Sequence, residues 1–171
     1  MSQAIDSHET IILNIGALLR DVLHNQPDIR EMGSSKVACV PDCMLAPNPD
    51  VLVVKGESQL MPRKRRAAGI VNPYILVEVR SDSTVMVDET QKLPCYKLLE
   101  SVQHIVHVNQ YYPYVSVCTK NQDVRHWFND DYDDLTQTVQ LGDVALPMHE
   151  IYHKVLLTET LRSQASKLSV K

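Results

Sequence analysis

Ile11, Ile12, Ile15, Leu18, Leu19 and Val22 recur at the three- and four-residue spacing of one helix face. They predict an amphipathic helix from about His8 to about His24, slightly weakened by Gly16. A short apolar piece follows around Val37–Val40. Val51 to Val54 read as a strand, opened by Pro49-Asp50 and closed by Gly56. Periodicity is then lost from Lys55 to Asn72, which predicts a loop. Tyr74 to Arg80 is the next strand, and a helical stretch runs roughly from Asp88 to Ser101, disturbed by Pro94. "HIVHVNQ", "YVSVCT" and "VRHWFN" read as three successive strands, with turns at Tyr112-Pro113 and Asn121-Gln122-Asp123. "NDDYDD" reads as a solvated turn. A weak strand, Leu135–Leu141, and a short helix, Met148–Val155, close the pattern. Helix, strands, helix and an antiparallel run make an α+β (mixed α/β) fold.

The 171 residues, 44% of them hydrophobic, suffice for one domain with a sizeable core. The expected limits are one domain over 1–157 and a polar, frayed tail over 158–171. A net charge of -4 means that any nucleic-acid role must rest on a local basic patch. "RKRR", Arg63, Lys64, Arg65 and Arg66, is the dense positive cluster, and it enters just before the Tyr74 strand. Such a run supplies phosphate contacts but reads no sequence. No run approaches the ~18 apolar residues of a membrane span. Cys39, Cys43, Cys95 and Cys118 lack C-x-x-C spacing, and no signal peptide precedes them. The expectation is reduced core thiols in a cytoplasmic protein.

Glu78 breaks the apolar run Ile75–Val79. By strand alternation it shares a face with Leu76 and Arg80. Either that face is solvated, or the carboxylate sits in a cleft and needs a cation or metal to offset its desolvation. Asp50, at the mouth of another strand, is the natural partner. Two close carboxylates repel, and a divalent ion such as Mg²⁺ or Mn²⁺ relieves this. Lys92 is the cation placed to orient a water or stabilise developing charge.

Pro49-Asp50 before an apolar strand, "VEVRSDST" (Val77–Thr84), and Asp88, Lys92 and Tyr96 in "DxxxKxxxY" spacing form an ordered set. The set resembles the Uma-type putative restriction endonuclease family of the PD-(D/E)XK nuclease superfamily. "NPYILVEV", "HIVHVNQ", "YVSVC" and "LPMHEIYHKV" extend the likeness to roughly residues 8 to 157. The resemblance implies a restriction-endonuclease-like central mixed sheet flanked by helices. It implies a metal-dependent DNA endonuclease, with Asp50, Glu78 and the Val79 carbonyl holding Mg²⁺ (or Mn²⁺) and Lys92 assisting the attacking water. The superfamily's lysine usually lies two residues after the acid. Arg80 stands there, so the family pattern selects Lys92 and leaves Arg80 to phosphate. The family's Ser-Pro-Ser-Thr is Ser81-Asp82-Ser83-Thr84 here, making Asp82 an additional candidate. His8 and Glu9, at the start of the first helix, are others.

Two rival readings stand beside this one. The chain could be an inactive nuclease-fold module for DNA binding or protein interaction. "HEIYH", His149 to His153, satisfies the zinc-peptidase pattern H-E-x-x-H, although Leu156 replaces the glycine of its extended form. A two-fold homodimer is the assembly the sheet would most simply support.

Overall fold

The computed structural model describes residues 2–43, 45–63, 66–81, 85–121 and 126–157. It opens with helix α1, Ser2–Leu23, longer than its apolar stripe predicts. Six strands form the central sheet: β1 (Ile29–Gly33), β2 (Val51–Lys55), β5 (Pro73–Arg80), β6 (His104–Asn109), β7 (Val115–Lys120) and β8 (Trp127–Tyr132). Their order is β1-β2-β5-β6-β7-β8. Only β5 and β6 run parallel, so the sheet is mixed, as expected.

Alternation divides the sheet into two faces. Val51, Val53, Ile75, Val77, Val79, Val106, Val108, Val115 and Val117 pack against Ile11, Ile15, Leu19 and Leu23 of α1. The hairpin of β9 (Thr138–Leu141) and β10 (Val144–Pro147) and helix α4 (Met148–Ile151) close the same side. The opposite face buries Leu52, Val54, Leu76 and Ile105 beneath Cys95, Tyr96 and Leu99. Glu78, Arg80 and His107 belong to this second face.

Several elements differ from the sequence pattern. The expected loop over 55–72 contains a hairpin of β3 (Leu60–Arg63) and β4 (Arg66–Ile70). It was hidden because Leu60 and Met61 are exposed and bury no alternating face. Its root is held by the Ala38–Ile70 bridge and by Gly69, where a Cβ would fall 2.5 Å from Cys39 Cβ. Strand β1, "IREMG", was missed because it lies at the sheet edge and alternates poorly. Asp130 and Asp131 lie on β8, not in a turn, and Phe128 is 56% exposed where a core or half-core position was expected. The strand expected over 135–141 covers only β9, and the Gly142 turn adds β10.

The helix expected from Asp88 to Ser101 is shorter and of mixed type: α2 (Val85–Val87), a π-helical turn (Asp88–Lys92) and α3 (Leu93–Tyr96). Pro94 lacks the N–H that would bond the Thr90 carbonyl in a continuous α-helix. The widened turn, with Leu93 N–H on the Asp88 carbonyl, stands where that bond is missing. Cys43 and Cys95 are joined as a disulfide, their Cα atoms 5.8 Å apart. The expectation of four reduced thiols therefore holds only for the buried Cys39 and Cys118. Among the described residues no helix is long and apolar enough to cross a membrane.

Candidate active site

Asp50 precedes β2 and meets β5 through the backbone. Its N–H donates to the Val77 carbonyl (3.0 Å), and Val79 N–H donates to its Oδ2 (2.7 Å). These bonds fix the carboxylate beside the strand that carries Glu78. His8 of α1 approaches the same oxygen, Nε2 to Oδ2 3.7 Å. Burial raises the Asp50 pKa; the Val79 N–H, His8 and Lys92 oppose that rise, and Asp88 adds to it.

Glu78 is 3% exposed. Tyr96 donates to Oε1 at 2.6 Å, and Lys92 Nζ donates to Oε2 at 2.9 Å. Burial pushes the Glu78 carboxyl up to about 7, against the pull of Lys92 and Tyr96. Lys92 also lies 2.8 Å from Asp88 Oδ1. That contact is an ion pair at hydrogen-bond distance, with the Asp88 oxygen buried beside the ammonium. Burial would lower the Lys92 pKa, but Glu78 and Asp88 outweigh it and the pKa ends raised. Lys92 is thus a fixed cation between two buried acids.

The helical segment over 85–96 explains the convergence. Asp88, Lys92 and Tyr96 recur every four residues and share its inner side. The π turn does not stop Lys92 from reaching Glu78. Asp88 and Tyr96 belong to the sequence motif, yet sequence reasoning gave them no role. Their i, i+4, i+8 spacing was the available signal.

Other candidates are placed differently. Glu9 is largely exposed and meets His8 Nδ1 at 3.5 Å, not Asp50. Arg80 shares Glu78's face and donates from Nη1 to Glu89 (2.8 Å). Arg63 and Arg66 face each other in register at the end of the β3–β4 hairpin. Lys64, Arg65 and Asp82 lie outside the described residues. In "HEIYH", α4 ends at Ile151, so His149 and His153 do not share a helix as the zinc motif requires. His153 is exposed beyond the helix end. Tyr152 instead ties the end of α4 to the sheet, its hydroxyl lying within hydrogen-bond distance of the Asn109 and Tyr114 carbonyls (2.8 and 2.9 Å). His104 and His107 point to opposite faces, as expected.

Among the described residues no three His, Cys, Asp or Glu side chains form a ready-made metal centre. The donor chemistry nevertheless fits a hard divalent ion: the carboxylates Asp50 and Glu78 are held on one strand pair, both raised in pKa by burial. Mg²⁺ is commonly held by one or two carboxylates and completes its shell with water.

No curated protein matches the chain. Among solved structures, the crystal structure of "a putative nuclease belonging to DUF820" from Anabaena variabilis ATCC 29413 superposes with a TM-score of 0.66. It shares 17% identity and covers 88% of this chain and 82% of its own, a likeness that establishes the nuclease fold. The model of the Uma2 family, described as "Putative restriction endonuclease", matches residues 1–149. With that match over most of its length, the chain belongs to the Uma2 family.

Proposed function

We propose that this chain is a divalent-metal-dependent endonuclease that hydrolyses DNA phosphodiesters. The observation that carries the reading is the convergence of Asp50, Glu78 and Lys92 from three separate segments onto one buried site. Asp50 and Glu78 would hold Mg²⁺ or Mn²⁺. The Val79 carbonyl would complete the protein ligands, since paired strand residues turn N–H and C=O to the same edge and Val79 N–H already faces Asp50. Bound there, such an ion polarises a phosphoryl oxygen and acidifies a water. Lys92 stays protonated, which suits it to orient that water and stabilise charge on the phosphoryl oxygens, not to act as a base. Tyr96 fixes the Glu78 carboxylate from its other oxygen. Arg80 and the basic run Arg63–Arg66 would contact phosphates. Action in the cytoplasm and two-fold dimerisation belong to the same proposal.

One observation favours the inactive-module reading. Lys92 already supplies a counter-charge to Glu78 and Asp88, so the acidic cluster does not need a metal to be tolerated. Plasmid nicking decides between the two. Wild type is incubated with Mg²⁺, Mn²⁺ or EDTA beside Glu78→Ala. Metal-dependent cleavage absent from the variant supports the endonuclease. Absence of cleavage with either metal, or equal cleavage by both proteins, sinks it.

A further inference from the structure

Three polar atoms beside the acidic cluster are buried without a hydrogen-bond partner among the described residues: Arg80 Nε, Arg80 Nη2 and His107 Nε2. Native chains satisfy nearly all such groups, so each orphan asks for a ligand or a role. His107 stands in register with Glu78 on the neighbouring parallel strand, and Arg80 lies two residues beyond Glu78 on the same face. The two are diagonal neighbours.

The chemistry of the three atoms is that of an oxyanion receptor. Nε and Nη2 form one edge of the guanidinium, the fork that grips two oxygens of a phosphate at once. An imidazole in the Nε2–H tautomer adds a third donor. Burial and the surrounding charges of Arg80, Lys92 and Lys97 keep the His107 ring neutral, with a pKa of about 3. Arg80 is meanwhile held from outside by Glu89, a carboxylate that is 54% exposed while the Arg80 side chain is 11% exposed. The pair is open to solvent on its Glu89 side, which screens it.

We propose that Arg80 and His107 form a phosphodiester-binding subsite beside the Asp50–Glu78 pair, with Glu89, on Nη1, as an internal carboxylate whose charge competes with nucleic acid for the guanidinium. The proposal rests on the nuclease reading for its ligand, not for its geometry.

The test is binding of a fluorescein-labelled DNA duplex by anisotropy in EDTA, where no metal-dependent cleavage occurs. Glu89→Gln, a change at an exposed position, is expected to tighten binding several-fold. Arg80→Gln and His107→Gln are each expected to weaken it about tenfold, and Arg80→Gln to reduce the salt slope by about one. The gain from Glu89→Gln must vanish in the Arg80→Gln background. Persistence of that gain would show a general surface-charge effect and overturn the subsite, as would unchanged binding in Glu89→Gln. Should wild type bind no DNA in EDTA, plasmid nicking still decides the nuclease reading, and inorganic phosphate then tests the subsite. A rise in melting temperature with phosphate, lost in Arg80→Gln, keeps the subsite; no rise overturns it.

Discussion

Lys92 reaches Glu78 across a π-helical turn, placing Nζ 2.9 Å from Oε2 while the same ammonium lies 2.8 Å from Asp88. Both carboxylates are almost wholly buried. One cation thus answers for two buried acids, and its removal leaves both without a counter-charge.

Lys92→Met should therefore destabilise the protein more than a surface lysine change would. Breaking a buried pair from one side costs about 3–5 kcal/mol, and the half-buried Lys92 places the expectation at the lower end. Urea unfolding measures it. Nicking activity should fall by about 10²–10³, the usual loss on removing one transition-state electrostatic partner. A variant with unchanged stability would overturn the role of Lys92 as the counter-charge of the two acids.

Tyr96→Phe removes a buried bond to a carboxylate while keeping the ring that packs in the second core. The expected cost is about 1.5–3 kcal/mol when Glu78 is ionised. Because the hydroxyl stabilises the charged form, the Glu78 pKa should move further up in the variant. The penalty should accordingly be larger at pH 8 than at pH 5, as thermal melts at the two pH values would show.

Glu78 and His107 face each other across β5 and β6 and bound the stability of the metal-free protein from opposite sides. Glu78 ionises near 7 in the fold against an ordinary 4.5. Stability is therefore lost as pH rises through that window, by on the order of 3 kcal/mol at its upper end. His107 protonates near 3 against an ordinary 6.5. Its contribution is present above pH 6.5 and lost as pH falls toward 3. The melting temperature should peak between about pH 4.5 and 6.5. Glu78→Gln should flatten the alkaline limb and His107→Gln the acid limb. A melting temperature that still rises from pH 6 to pH 8 in EDTA would contradict the burial of Glu78.

Cys43 lies in the segment leading to Pro49-Asp50, and Cys95 lies between Lys92 and Tyr96. Their disulfide joins the two segments that deliver site residues, closing a chain separation of 52 residues. Reduction should lower stability by about 2–4 kcal/mol. Thiol titration of denatured, unreduced protein should find two free thiols out of the four cysteines. Finding four would restore the expectation of reduced core thiols.

Much of this arrangement is written locally. The apolar stripe of α1 and the runs at Val51–Val54, Ile75–Val79 and His104–Asn109 specify amphipathic or buried elements by period alone, because burial on one face requires that period. Glu78 stands out for the same reason, as a charge inside a run that has no other use for one. The motif order then named Asp50, Lys92 and the family. Strand β1 and the β3–β4 hairpin were not legible, because edge and arm strands bury too little to impose a pattern.

The sequence by itself determined which residues could be buried, which runs form the first helix and the central strands, and which acids were available for a site. The tertiary structure decided which of them meet. Parallel pairing of β5 with β6 brought His107 level with Glu78, a relation with no trace in chain spacing. Packing of the 85–96 segment over β5 brought Lys92 and Tyr96 to one carboxylate, and α1 brought His8 rather than Glu9 to Asp50. Register and helix packing are set by the summed burial of both faces of the sheet. No local window of sequence contains that sum.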